Sequence, residues 1–392
     1  MSGNSRKLND WLSTYIDYTS NQESPEVFHL WSGISIIAAT LGRRCWVDRG
    51  YYLTYPNEYI ILISPSALCK KSTSVEIALD IYNTVYIDRP TFSKRTTLQK
   101  LMVRMAECYK LMQTSTVYMF ADELSVLLGR SGTNEIIDFM TELYNCKDRW
   151  QNETKNAGDD ELYKVCVNFI GCTTPRDLAT LQSTIIDGGF AGRCIFVYSD
   201  KPRPPIHNPK LLMPKDSDTT KKDLINDLVH MSLLSGEFTM TVEADMVHKR
   251  LYDANYTKRH ADFRMHPYQG RKGEHLIKIA MIVSASYSDS KQITHHDMEA
   301  AGQILSNIEG KMPDSFLHIV HGISSKHNDM ILKILKDNGG LIQHSELLKK
   351  MYRYMDKGEL AMAIGTLEDS KLIVTVIEGR HREYQLLIPE VD

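Results

Sequence analysis

The chain has 392 residues, more than one typical domain holds, and its 42% hydrophobic and 24% charged residues leave room for a sizeable core. A formal net charge of −3 excludes a general basic field, so any nucleic-acid contact must use local patches. The seven Cys form no C-x-x-C pair, and Cys166, Cys172 and Cys194 fall in apolar runs, which argues against zinc and a disulfide framework and suits a reducing cytosol. Met1 to Lys7 contains no apolar signal region, and no run approaches the ~20 apolar residues of a membrane span. A cytoplasmic location with no membrane partner is therefore expected.

In chain order, residues up to Gly50 read as helical. Asn9-Asp10 is placed to cap a helix with Trp11, Leu12, Tyr15 and Ile16. Ser24-Pro25-Glu26 reads as a second start, with Ser24 as N-cap and Pro25 in the first turn, and the apolar positions run from Val27 to Leu41. Gly42 ends that helix, Arg43 and Arg44 complement its dipole, and Cys45-Trp46-Val47 reads as a short strand.

Tyr59 to Ile63 is an apolar run followed by the turn Ser64-Pro65-Ser66, then Lys70-Lys71-Ser72-Thr73 and the helical pattern Val75, Ile77, Ala78, Leu79, Ile81. Strand, loop, Lys-Ser, helix is the order of a phosphate-binding loop. There, backbone N–H groups and the helix start hold phosphate, the Lys adds a point charge and the hydroxyl reaches Mg²⁺. Pro65 and Lys70 stand where G-x-x-x-x-G-K-[ST] has its glycines, so the residues that supply φ > 0 and room for phosphate are missing. The alternative is a buried strand before a basic helix start. A second run, Thr116 to Ala121, ends in Asp122-Glu123. At the carboxyl edge of a parallel sheet both acids lie where ligands bind, Asp122 to hold Mg²⁺ and Glu123 to polarise the attacking water. The ordered pair of stretches is more specific than either half.

Thr97 is expected to cap a helix over 98–112, and 134–145 reads as amphipathic helix. Lys147 to Gly158 is polar, and its centre, Asn156-Ala157-Gly158, resembles a hairpin tip carrying Lys155 and Arg149. Such a hairpin is either a nucleic-acid backbone contact or a plain surface hairpin. The run from Val165 ends in Cys172-Thr173-Thr174-Pro175, where Thr173 or Thr174 is placed to sense a γ-phosphate. Arg193, in the Gly-rich turn before the apolar run Cys194 to Tyr198, is a candidate arginine finger or a surface Arg.

Lys201-Pro202-Arg203-Pro204-Pro205 reads as a linker. Residues 219–316 read as helical throughout, with no strand candidate. Arg271 opens one helix there and is a candidate second sensor reaching back to the nucleotide, or a surface Arg. Thr294-His295-His296-Asp297 opens another, with the His pair in a cap region rather than a metal site. Asn328 to Pro389 gives three helices, with Ser345 and Asp356 as caps, and a hairpin whose tip carries Arg380 and Arg382. This is a winged-helix pattern, used for DNA in some proteins and for protein in others.

Taken together, these motifs resemble a family of phage, plasmid and mobile-element P-loop proteins with helicase-like and primase-associated members. The likeness covers Trp11 to Arg203 and rests on Ser24-Pro25, Trp31, Tyr55-Pro56-Asn57, the Ser-Pro-Ser to Lys-Lys-Ser-Thr loop, Ala121-Asp122-Glu123-Leu124, Thr173-Thr174-Pro175 and Gly189-Phe190 with Arg193. The rest is similar to the lid and C-terminal domain of minichromosome-maintenance-like AAA+ helicases. The resemblance implies an α/β fold: a P-loop NTPase core of AAA+/RecA-like type over 51–205, N-terminal helices over 1–50, a helical lid over 206–325 and a winged helix over 326–392. It implies ATP and Mg²⁺ as cofactors. Ser66, Lys70, Lys71, Ser72, Thr73 and Arg271 would contact nucleotide, Ser72 and Asp122 the metal. Glu123, Thr174 and Arg193 would be catalytic, and Arg149, Lys155, Arg380 and Arg382 would meet DNA. The implied activity is an ATP-driven DNA translocase or helicase in replication. It would act on single-stranded or forked DNA as a homo-oligomeric, hexameric ring with a primase or initiator partner, in a bacterial host's cytoplasm. The alternatives are an AAA+ switch, such as a loader or a replication or transposition regulator, and a nucleotide-binding scaffold.

Overall fold

The computed structural model describes residues 5–86, 91–92, 97–128, 135–154, 158–180, 189–260, 262–316, 323–352, 354–378 and 381–387. Two units divide the chain, residues 1–316 and 317–392.

In the first unit, helices α1 (Trp11–Tyr18) and α2 (Glu26–Leu41) precede the hairpin of β1 (Cys45–Asp48) and β2 (Leu53–Thr54). The P-loop run forms β3 (Tyr59–Ile63) and α3 (Lys71–Val85), followed by β4 (Thr91–Phe92), α4 (Leu98–Met112), β5 (Thr116–Ala121), α5 (Leu124–Leu128) and α6 (Glu135–Leu143). The hairpin β6 (Arg149–Thr154) and β7 (Gly158–Tyr163) leads into β8 (Cys166–Thr173), α7 (Pro175–Thr180) and β9 (Cys194–Tyr198). Then come α8 (Ser217–Met231), β10 (Gly236–Glu237), β11 (Thr239–Met240), α9 (Val242–Thr257), α10 (His266–Tyr287), β12 (Gln292–Ile293) and α11 (His295–Glu309).

The centre is a five-stranded sheet in the order β4-β5-β8-β3-β9, parallel at every pairing. Every residue of β3, β5 and β8 is buried, which is why these strands read as continuous apolar runs rather than alternations. Helix α2 is buried almost all round from Phe28 to Leu41, as a helix enclosed by other layers must be. Register aligns the strand ends: Ile63 pairs with Thr173 and Ala121 with Gly171. After β3 the chain leaves towards the β4 edge, whereas after β8 it crosses β3 to β9. The neighbours β3 and β8 thus form a switch point, and the crevice beyond their carboxyl ends is where open α/β sheets bind ligands.

The local rules hold at several predicted caps: Asp10, Thr97 and Thr294 each accept a first-turn N–H. Other predictions fail. The stretch expected to be wholly helical contains β10, which joins β1 in parallel, and β11, which pairs with β12; strands of two residues are too short to show a period. Arg43 is not a solvated dipole partner, because its guanidinium is folded inward onto the carbonyls of Lys147 and Val165, each at 3.0 Å.

The second unit contains α12 (Ile323–Asp337), β13 (Leu341–Gln343), α13 (His344–Met351), α14 (Lys357–Asp369), β14 (Ile373–Glu378) and β15 (His381–Leu386). The strands form an antiparallel sheet in the order β13-β15-β14. Ile331, Leu335, Ile342, Leu347, Leu360, Ile364 and Tyr384 share one core. Asp356 and Glu359 make a reciprocal capping box, while α13 starts two residues earlier than a Ser345 cap predicts, at His344, with no side-chain cap from Ser345. Along α14 the exposed positions include Ala361, Met362 and Thr366, and Lys357 is its only cation. Among the described residues no helix is long and apolar enough to cross a membrane.

Candidate functional site

At Lys70, one of the two positions where the pattern has glycine, the loop after β3 takes the left-handed conformation (φ 44°), and Ala67 inside the loop does the same (φ 57°). Each carries a typical cost of about 1–2 kcal/mol for an L-residue. Lys70 is the N-cap residue of α3 and gives it no side-chain cap, so the first amides of that helix are left for an external acceptor. Lys71 turns back over the loop, with Nζ 3.0 Å from both the carbonyl and the hydroxyl of Ser64. Burial lowers its pKa from the ordinary lysine value. Ser72 donates to the Asp122 carboxylate, which joins the loop to the end of β5. Asp122 and Glu123 are exposed, as are Ser66 and Lys70, and Thr73 is half-buried. Thr174, beyond the end of β8, donates to Asp177 (2.8 Å) and accepts its backbone N–H (3.1 Å), so its hydroxyl caps α7.

The residues suit a nucleotide and its metal. A lysine, an uncapped helix start and a serine hydroxyl against a carboxylate converge beyond β3, β5 and β8. The Ser72 and Asp122 oxygens are hard donors of the kind Mg²⁺ takes, with few protein ligands and the remainder from phosphate and water. Among the described residues no group of three His, Cys, Asp or Glu forms a metal cage of its own.

Arg193 and Arg271 lie elsewhere. Arg193 ends the short turn before β9, at the amino end of the sheet, and Tyr59 pairs with Cys194 there. That is a strand's length, ~15 Å, from the loop. Arg271, on α10, shares that end: the two guanidinium carbons lie 6.0 and 5.7 Å from the centroid of the Tyr144 ring. The expectation that Arg271 reaches back to the nucleotide of its own chain does not fit this placement. The helix starts at His266 rather than Arg271, and its first turns pack on the amino ends of β3 and β9. Arg193 donates to Gly189 O (2.6 Å), its Nε is buried without a partner, and no carboxylate among the described residues pairs with it. Desolvation and the neighbouring Arg271 both lower its pKa. Arg271 is balanced by Glu274 at 3.2 Å.

Sequence reasoning missed the buried groups beneath this arginine pair. Lys278 sits 3.8 Å above Tyr144 and donates to Asn57 O at 2.8 Å, and His275 Nδ1 lies 2.9 Å from the Glu58 carboxylate. Their only signal in the sequence is charged residues inside apolar stretches. Asn57, Tyr144, Arg271 and Glu274 line a cavity of about 260 Å³ together with Tyr52, Leu53, Tyr55 and Asn145.

The expected DNA contacts are dispersed. Arg149 is paired with Glu161, whose pKa is drawn down to about 2 by Tyr163, Arg149 and Gln151. The hairpin read as basic carries Arg149 and Lys155 against Glu153, Asp159, Asp160 and Glu161. Lys155 and Arg380 lie outside the described residues. Arg382 is exposed and packs 5.4 Å from the Tyr384 ring centroid.

No protein-family model and no curated protein matches the chain. Among solved structures it is similar to a full-length MCM homologue from Methanopyrus kandleri, with a TM-score of 0.43 and 8% identity, over 77% of this chain and 59% of that one. The chain is a mixed α/β protein with a parallel sheet, an architecture compatible with a P-loop NTPase core.

Proposed function

We propose that the chain is an ATP hydrolase that works in a ring of its own copies as a DNA translocase or helicase. The observation that carries this reading is the division of the site between the two ends of one sheet: Lys71, Ser72, Asp122 and Glu123 at the carboxyl ends, Arg193 and Arg271 at the amino ends. Lys71 and the start of α3 hold the β/γ-phosphates. Ser72 and Asp122 hold Mg²⁺, which when bound neutralises phosphate charge, and Glu123 orients the attacking water. An arginine with no paired carboxylate among the described residues, a strand's length from its own loop, serves the phosphates of a neighbouring copy. Head-to-tail contacts of this kind close into rings, six subunits by the family resemblance.

The test is Mg²⁺-dependent ATPase turnover and strand displacement by the full chain. Glu123→Gln is expected to bind ATP and turn it over slowly. Normal turnover, or loss of binding, sinks the role given to Glu123. A second reading, an AAA+ switch that loads or regulates rather than unwinds, is favoured by the acidic balance of the β6–β7 hairpin, which does not suit a backbone-tracking element. ATPase activity without strand displacement selects it.

A further inference from the structure

We propose that Glu23 and Ser24 are positioning residues for the phosphate loop: they hold Lys70 in the left-handed conformation that glycine normally supplies, and thereby keep Lys71 and the start of α3 aimed at the phosphates. The inference rests on the reading of this loop as a nucleotide site. Lys70 has φ 44° and ψ 48°, a conformation only glycine adopts freely. Two contacts from one segment meet on it. Ser24 Oγ donates to Lys70 O at 2.9 Å, and the Glu23 carboxylate pairs with Lys70 Nζ at 2.5 Å. Ser24 is buried, and instead of capping α2, whose N-cap residue is Pro25, it spends its hydroxyl on the loop.

The segment is anchored independently of the loop. Glu23 accepts the N–H of Ile206 at 3.0 Å through its carboxylate and that of Arg203 at 2.9 Å through its carbonyl. The Arg203 guanidinium reaches Thr19 O at 3.0 Å and Glu26 at 3.2 Å. The strap over 19–26 therefore braces the loop against the chain that follows β9. Without the brace, the loop divides between a competent form with Lys70 left-handed and a relaxed form. Apparent affinity then falls by the competent fraction.

The experiment is a double-mutant cycle on the full chain, reading the Kd for a slowly hydrolysed ATP analogue with Mg²⁺ by calorimetry. Ser24→Ala should weaken binding about ten-fold, the usual penalty of a left-handed L-residue expressed as an equilibrium, and Glu23→Gln should act in the same direction. In a Lys70→Gly background, whatever its own affinity, Ser24→Ala should change Kd by less than about two-fold. Thermal stability should fall on Ser24→Ala in both backgrounds, as a lost hydrogen bond requires, so only affinity separates positioning from a structural role. An equal loss of affinity in both backgrounds, or none in either, overturns the inference. So does a larger loss on Ser24→Ala in the Lys70→Gly background than in the wild type. Absence of binding by wild type and Lys70→Gly alike overturns the nucleotide-site reading itself.

Discussion

Removing one partner of the buried Glu58–His275 pair should destabilise the protein more than removing both. Both side chains are 0% exposed, and His275 Nδ1 lies 2.9 Å from one carboxylate oxygen while Nε2 faces Gly192 O at 3.4 Å. His275→Leu leaves a buried carboxyl group with no partner among the described residues. A buried partner left alone when a pair is broken costs about 3–5 kcal/mol. Glu58→Met leaves the imidazole without its carboxylate and loses that hydrogen bond, about 1.5–3 kcal/mol. Replacing both with Met and Leu should come close to neutral, because a buried pair and an apolar pair of similar volume have comparable stability. For a unit spanning residues 1–316, each kcal/mol corresponds to about 1.5 °C. His275→Leu should therefore melt about 5–7 °C below wild type and Glu58→Met about 2–4 °C below it. Scanning calorimetry of the three variants decides it. A double variant as unstable as the two losses added together would refute the reasoning that these groups stabilise each other as a pair.

Three further outcomes are expected. Lys71→Ala should abolish ATP binding or hydrolysis. In the wild type, affinity should decline as pH rises through the lowered lysine pKa, earlier than for a solvated lysine, because only the protonated form attracts phosphate; a Kd flat to pH 10 counts against Lys71. Arg193→Ala should keep ATP affinity and lose about 10³-fold or more in turnover, with part of the rate restored on mixing with Lys71→Ala protein. No rescue, with activity proportional to concentration down to a monomer, leaves Arg193 an ordinary surface residue. In salt-titrated DNA binding, Arg382→Ala should flatten the log–log slope by about 0.7–0.9 and Arg149→Ala should scarcely change it, since Glu161 already neutralises that charge; the opposite ranking rejects the assignment.

The core strands and the loop were legible in the sequence because burial on both faces writes unbroken apolar runs, and Lys-Ser and Asp-Glu follow directly at strand ends. The brace was not legible. Ser24 before Pro25 is a strong cap signal, and only the fold reveals that its hydroxyl meets Lys70. Arg271 was misplaced for a related reason. A helix register read from Arg271 onward omits His266 and Pro267, and Gly192 is tight against the Pro267 carbonyl, where an added Cβ would stand 2.7 Å away. That close approach, invisible in any local pattern, brings α10 to the amino end of the sheet. The pairing of Arg149 was hidden because the carboxylate that neutralises it stands on the opposite strand of its hairpin.

All seven cysteines are free and buried. Burial pushes Cys45 up to about 12 and raises Cys69, Cys172 and Cys194 as well, so little thiolate is present at neutral pH, and thiolate is the species that reacts. With all seven buried, the native protein should react slowly with maleimides, which a thiol titration of the folded chain checks. A single cysteine introduced at Tyr51, which is 102% exposed, would be labelled selectively without removing any native thiol. Energy transfer between two dyes placed there on different copies would report association and exchange of subunits in real time, in the natural sequence background.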